Sequence, residues 1–201
     1  MRFTLTLVRH GESEANVCHM LSGWMDVELT EKGKSELEEL RASVEYPESD
    51  AYFCSPLKRC RETFRILFPD KRPTISDEYK EINFRSLEGH ILPNKEDIRS
   101  YFSSWVEDKP QKDEETISTV MERGRKALLD TVGKCENEGK HSATIVTHSG
   151  IMRASIIALF NLDKKEFLEM FVPNGLGYVI TFEDLHPLSY AVLDKSFHSN
   201  R

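Results

Sequence analysis

Long apolar runs are missing from this chain: no stretch approaches the roughly 20 residues of a spanning helix. Its first residues run straight into a strand pattern, without the charged, apolar and small-residue succession of a secretory signal. The expectation is a protein with no membrane partner, working in the cytoplasm. Basic charge is also short. With 27 Lys and Arg against 34 Asp and Glu the net charge is −7, so the general attraction to a phosphate backbone that nucleic-acid binding draws on is lacking. Any anion site has to be local. Cysteine is sparse, and Cys18, Cys54, Cys60 and Cys135 show no C-x-x-C spacing, which reads as free thiols. There is no H-E-x-x-H helix, no Walker lysine loop and no G-x-S-x-G elbow around Ser149. Repeats, linkers and low-complexity tracts are absent as well. Residues 1–201 therefore read as one domain, long enough to bury a sizeable core, with no signature of an oligomeric state.

What is present centres on Leu7-Val8-Arg9-His10-Gly11-Glu12-Ser13. Phe3, Leu5 and Leu7 alternate with Thr4 and Thr6, which predicts a strand over Arg2 to Val8. Gly11 lets the backbone leave it sharply. Arg9 and His10 then stand at the strand's carboxyl end, the edge where open α/β sheets bind ligands. A guanidinium fork suits a phosphate or carboxylate. The imidazole beside it can be a nucleophile, a general base or a hydrogen-bond donor. An Arg-His pair at a strand end is more often an ordinary solvated turn, so a second stretch has to support it.

Further along, Thr30 is placed as the N-cap of a helix carrying Leu37, Leu40 and Val44 inward. Ala51 to Cys54 is a short strand, and Ser55-Pro56 reads as an N-cap with proline at the first helical position. The helix that follows carries Leu57, Cys60, Phe64 and Leu67, with Arg59 in its first turn. Cys54 and Arg59 invite a thiolate-phosphatase reading, but only four residues intervene where that cradle needs five, so Cys54 is taken as a buried strand residue. Asp77 to Gly89 has no clean period and reads as a site loop with carboxylates at Glu81 and Glu88. Residues 82–115 are expected to form an inserted, lid-like segment, with a helix capped at Pro93-Asn94 that carries Ile98, Tyr101, Phe102 and Trp105. A long helix starts near Glu115. Ser142 to Thr147 is a buried strand running into His148-Ser149-Gly150 and an apolar helix to Phe160, and Asp163 caps another short one. Gly177 to Phe182 and Tyr190 to Leu193 are a strand pair joined by Glu183 to Pro187. This alternation predicts an α/β fold, a mainly parallel sheet flanked by helices on both faces in a three-layer α/β/α arrangement.

Three strands thus end in reactive groups: Arg9-His10, Ser55 with Arg59, and His148-Ser149. Parallel strands put those ends on one edge. Each histidine alone could be a capping or core residue and Arg59 an exposed helix charge, but their common position favours one site. Two guanidiniums and two imidazoles at helix N-termini form an electropositive cup in an acidic protein. A phosphoryl group is its natural occupant, and fixed cations can stabilise the transferring oxygens without a metal.

At these residues the chain resembles the histidine phosphatase superfamily, the group that includes the cofactor-dependent phosphoglycerate mutases. The resemblance is carried by Leu7 to Ser13, Asn16, the Gly23-Trp24 to Gly33 stretch, Ser55-Pro56-Leu57-Lys58-Arg59, Glu81 followed by Leu87-Glu88-Gly89, and Val146-Thr147-His148-Ser149-Gly150. It implies a phosphoglycerate mutase-like fold, with His10 as a nucleophile that forms a phosphohistidine and with Arg9, Arg59 and His148 around the phosphate. Asn16, Ser22, Gly23 and Ser149 would add phosphate contacts, and Glu81 would be the proton donor to the leaving group, carrying its proton before the bond breaks. Two departures stand out. The family pattern Phe-Gly is here Phe84-Arg85, so the backbone path differs in what it must tolerate and Arg85 reaches toward substrate or solvent. The mutases' longer insert with a paired-arginine segment is missing between Glu81 and Glu122.

The reading that follows is a metal-independent, cofactor-free phosphatase for a small phosphorylated metabolite. The alternatives are a cofactor-dependent phosphoglycerate mutase, which returns the phosphoryl group to a second hydroxyl, and a non-catalytic phosphate-binding protein.

Overall fold

A computed structural model describes residues 1–196. Among these, six strands form one sheet in the order β3-β2-β4-β1-β5-β6. In chain order the elements are β1 (Arg2–Arg9), α1 (Glu14–Val17), α2 (Glu31–Ser43), β2 (Ala51–Cys54), α3 (Lys58–Leu67), β3 (Thr74–Ile75), α4 (Lys95–Trp105), α5 (Ile117–Asn137), β4 (Ser142–Thr147), α6 (Ser149–Phe160), α7 (Glu166–Glu169), β5 (Gly177–Glu183) and β6 (His186–Leu193). Strands β1 to β4 run parallel, with Leu7 beside Ile145 and Cys54 beside Val146, while β5 and β6 add an antiparallel edge. The ends of β1, β2 and β4 therefore share one edge, as the three reactive stretches require. No helix among the described residues is long and apolar enough to cross a membrane.

Alternation along the strands sorts side chains between two cores. Phe3, Leu5, Leu7 and Ile145 face α5 and α6 through Leu128, Val132, Met152 and Ile156. Val8, Tyr52, Cys54 and Val146 face α2 and α3 through Leu37, Leu40, Phe64 and Leu67. This is the three-layer arrangement. Of the threonines of β1, Thr4 is half-buried and Thr6 fully buried, so alternation there marks two covered faces of different polarity. A third cluster joins Phe84, Leu92, Tyr101 and Trp105 of residues 82–115 to Val120 and Ile157, so this segment has apolar packing of its own over the outer ends of α5 and α6.

Local signals are mostly kept. Thr30, Asn94 and Thr116 each accept a backbone N–H at the start of α2, α4 and α5. Ser55 does not cap α3, whose N-cap is Leu57; its hydroxyl is used elsewhere. Asp163 accepts from the Lys165 N–H at 2.8 Å, but α7 starts only at Glu166. The β5–β6 connection is shorter than its polar composition suggests. Asp184 and Leu185 both have positive φ, at 48° and 65°, the backbone of a two-residue hairpin turn that normally recruits Asn and Gly. The Met1 amine pairs with Asp184 and holds that turn.

Packing between β1 and β5 is close enough to exclude a side chain at one point. A Cβ on Gly177 would lie 1.8 Å from the Leu7 carbonyl oxygen, inside the ladder that orders the strand leading to Arg9. Gly177→Ala is expected to cost on the order of 3 kcal/mol, read as a lower urea midpoint with unchanged m-value. A wild-type midpoint would show that the strand pair yields without penalty.

Candidate active site

The sheet edge opens into a cavity of about 510 Å³ lined by Arg9, His10, Asn16, Ser22, Gly23, Arg59, Glu81, Ser149 and Gly150, with apolar residues further out. Its size is ordinary for a small-molecule site. Of the residues singled out in the sequence, His148 and Arg85 are not part of this wall. His148 is fully buried, edge-on to the His10 ring with centroids 5.2 Å apart. Arg85 is exposed and lies outside the cavity.

His10 is fixed in one tautomer. Its Nδ1 lies 2.7 Å from the Gly11 carbonyl oxygen, which can only accept, so Nδ1 carries the hydrogen and Nε2 keeps its lone pair. The next turn is tied down in the same way, with the Gly11 N–H donating to Thr63 Oγ1 at 2.9 Å and that hydroxyl donating to the Arg59 carbonyl at 2.6 Å. Thr63 thus links the end of β1 to α3. The His148 ring is placed by Ser55 Oγ, 2.9 Å from Nε2, which is where the expected capping hydroxyl goes.

Arg59 is buried and Arg9 half-buried, and both are held by carbonyl oxygens instead of carboxylates. Arg9 Nη1 donates to Val172 at 2.6 Å. Arg59 donates to Met25 at 2.8 Å and Gly23 at 2.6 Å. Burial lowers the pKa of both, that of Arg9 to about 10. In each case Nε–H is buried without a partner. Unmatched donors on buried cations are costly.

Asn16 Oδ1 accepts from the Ser13 N–H at 3.1 Å, from the Ser13 hydroxyl at 3.2 Å and from Asn174 Nδ2 at 3.3 Å. That saturation sets the amide's orientation and leaves its own NH₂ as a donor. Asn174 also donates to the His10 carbonyl at 2.9 Å, a role invisible in a stretch without periodicity. Glu81 accepts from the N–H groups of Ile82, Gly150 and Ile151 at 2.8 to 2.9 Å, so its carboxylate sits across the N-terminus of α6. Its backbone carbonyl is gripped by Arg123 Nη2 at 2.7 Å and Trp24 Nε1 at 2.8 Å. Glu88, the competing carboxylate, instead accepts from the Trp24 N–H at 2.6 Å and braces the Gly23-Trp24 turn.

Arg153 is a third guanidinium of the cavity wall that the pattern did not single out. It stacks on Phe167 at 3.9 Å and donates to the Phe167 carbonyl at 2.8 Å. Its signal was there, as the one charged residue of α6. Cys54 is buried and its thiol pushed up to about 12 by that burial. It is a poor nucleophile outside the cavity. Arg85 takes φ +47°, the left-handed conformation that glycine adopts freely.

Known proteins agree with this architecture. A family model described as histidine phosphatase superfamily (branch 1) matches residues 5–192. The adenosylcobalamin/alpha-ribazole phosphatase of Salmonella typhimurium is 31% identical over 180 residues, covering 85% of this chain and 86% of that protein. A 2,3-bisphosphoglycerate-dependent phosphoglycerate mutase of Bartonella henselae is 27% identical over 201 residues, covering 90% and 93%. In fold, the chain matches a phosphoglycerate mutase from Bacillus anthracis with a TM-score of 0.81 at 21% identity, over 97% of this chain and 94% of that one.

The two buried histidines give stability a pH dependence of definite sign. Both are held well below the usual 6.5, first by burial, then for His10 by Arg59 and Arg9 and for His148 by Arg59 and His10. Unfolding frees each to take a proton below 6.5 that it refuses in the fold. The unfolded chain then binds more protons, so this contribution is complete above 6.5 and lost as pH falls beneath it, by about 1.4 kcal/mol per pH unit per histidine. Urea unfolding from about pH 7 to 5 should show His10→Gln with a slope shallower by one such increment. Equal slopes in the two proteins would mean that His10 is protonated in the fold.

Proposed function

The chain belongs to the histidine phosphatase superfamily, and on that premise we propose that it is a phosphatase, hydrolysing a small phosphorylated metabolite through a phosphoryl group carried on His10, without a metal ion. The single observation behind this is the Nδ1–H of His10 on the Gly11 carbonyl, because it leaves Nε2 as an unprotonated nucleophile beside two cations. Nε2 attacks phosphorus in line as the P–O bond to the alcohol breaks. Arg9, Arg59 and the Asn16 NH₂ take the equatorial oxygens, with the Ser22-Gly23 and Ser149 segments completing the cradle, while His148, expected from the sequence around the phosphate, is buried on Ser55 and backs the His10 ring. A substrate bound as its monoanion brings a proton with it, and Glu81 delivers that proton to the departing oxygen. Water then attacks phosphohistidine, Glu81 takes its proton, and phosphate leaves with His10 restored.

The mutase alternative differs only in the acceptor, a second hydroxyl of a sugar acid in place of water. It calls for cations around a carboxylate. Arg85 and Arg99 are both exposed and outside the cavity wall, and the further cation of the wall, Arg153, is engaged by the Ser149 and Phe167 carbonyls, which supports hydrolysis. A non-catalytic phosphate-binding role has no use for a lone pair presented at the centre of the cup. The free state of Cys18, Cys54, Cys60 and Cys135 suits a reducing compartment such as the cytoplasm. Residues 82–115 close one side of the cavity through Ile82, Phe84, Leu92, Ile98 and Phe102, and we assign them the part of a lid.

Quenching the reaction of a radiolabelled ester should trap an acid-labile, alkali-stable phosphoprotein, absent from His10→Ala, with turnover undiminished by chelators. Label on Ser55 or Cys54 would overturn the assignment, and a loss on chelation restored by a divalent ion would move the chemistry to metal assistance.

The leaving group separates the acid from the nucleophile. General-acid help is worth about 10²–10⁴-fold, so Glu81→Gln should lose turnover on that scale with an alkyl phosphate and far less with p-nitrophenyl phosphate. Equal losses on both would make Glu81 a positioning group for α6.

A further inference from the structure

The charge of the cavity is gathered mainly at one end, where Arg9, His10, Arg59 and Glu81 line the wall. Arg153, one turn into α6, stands between that end and the apolar wall, its guanidinium donating to the Ser149 carbonyl at 3.2 Å and the Phe167 carbonyl at 2.8 Å. Beyond them the wall is Phe84, Leu92, Ile98, Phe102, Met170 and Phe171, and the remaining titratable group is His19, exposed at the rim. Among the described residues no lysine and no second carboxylate lines the cavity. The apolar wall is also braced. Phe102 stands edge-on to Phe84 with centroids 6.5 Å apart and packs on Phe167 at 5.7 Å. Phe171, by contrast, is 77% exposed, an uncovered aromatic at the mouth of a site.

We propose that this sleeve selects phosphomonoesters of apolar alcohols, aryl or extended alkyl, over those of sugars, sugar acids or amino acids. The proposal rests on the phosphatase reading and names the alcohol half of its substrate. An aliphatic or aromatic leaving group would replace water against Ile98, Phe102 and Phe171, a gain for each methylene removed from solvent. A polyol or zwitterion would lose hydration there with few partners to replace it. The cation nearest that wall, Arg153, is already held by the Ser149 and Phe167 carbonyls.

The test is kcat/KM of the full chain along n-alkyl phosphates from ethyl to octyl, with O-phosphoserine and 3-phosphoglycerate alongside. The expected result is a rise of about three- to fourfold per methylene until the chain clears Phe171, with both polar esters below butyl phosphate. A flat series, or a preference for either polar ester, overturns the sleeve. Binding of the matching n-alkylphosphonates, followed by calorimetry, keeps the question apart from catalysis. If no ester is turned over but phosphonate affinity still climbs with chain length, the phosphatase reading fails and the sleeve stands. Affinity independent of chain length removes the sleeve whatever the turnover. Phe102→Ser should flatten the series by removing a wall. If that variant does not fold, Phe171→Ser, at an exposed position, should lower the increments for the longest members, and unchanged increments there would also count against the proposal.

Discussion

The constraint on which the rest of this structure depends is the enclosure of two guanidinium groups, Arg59 buried and Arg9 half-buried, with no carboxylate in ion-pair contact with either among the described residues. A salt bridge would have been the simplest way to keep Arg9 and Arg59 in the interior, but a paired cation is an occupied one. Here the carbonyls of Val172, Gly23 and Met25 hold the arginines by their Nη groups and leave each Nε–H unmatched. Carbonyl oxygens are partial charges: they fix geometry and leave most of the cationic field for a ligand. The same field, with burial, keeps His10 and His148 neutral. One arrangement therefore leaves cationic field at the cavity wall and an unprotonated nitrogen on His10, the two features on which the proposed phosphatase chemistry rests.

That arrangement needs partners from far along the chain, and the fold exists to deliver them. Arg9 leaves β1, Arg59 opens α3 after β2, and His148 follows β4, three parallel strands that are neighbours in the sheet. The Asn174 amide ties the loop before β5 to His10 and Asn16. Glu12 closes the opposite side, since its backbone carbonyl accepts from the Thr30 N–H at 3.0 Å and a Cβ on Gly33 would lie 2.3 Å from that oxygen. Such a close approach admits only glycine, and it joins the catalytic turn to the start of α2.

The layer order and the common edge were legible because they rest on local periodicity. Alternation in β1, an apolar β4 and the caps at Thr30 and Asn94 involve residues within a few positions of one another. What was not legible depends on partners far away. Ser55 has the composition of a cap, yet its hydroxyl meets His148, 93 residues on. Asp184-Leu185 lacks turn glycine and forms a tight turn with the Met1 amine beside it. Asn174 sits in a stretch with no pattern at all. Arg153 could have been noticed as a lone charge on an apolar helix, but only the packing of Phe167 under it shows that it faces the cavity.

Glu81 shows how the site can keep an acid next to its cations without losing them to it. A free carboxylate among Arg9, Arg59 and Arg153 would pair with the nearest one and displace substrate phosphate. Instead its oxygens are taken by the N–H groups of Ile82, Gly150 and Ile151, and its backbone is pinned by Arg123 and Trp24. A Cβ on Gly150 would come within 2.5 Å of Oε1, so the carboxylate reaches those amides only because position 150 is glycine. Arg123 is in turn held by both oxygens of Glu115 at 2.8 Å, outside the cup. The carboxylate is thus restrained by dipoles and by a remote ion pair, which holds it at the cavity wall without pairing it to Arg9 or Arg59, the placement that the proposed proton transfer calls for.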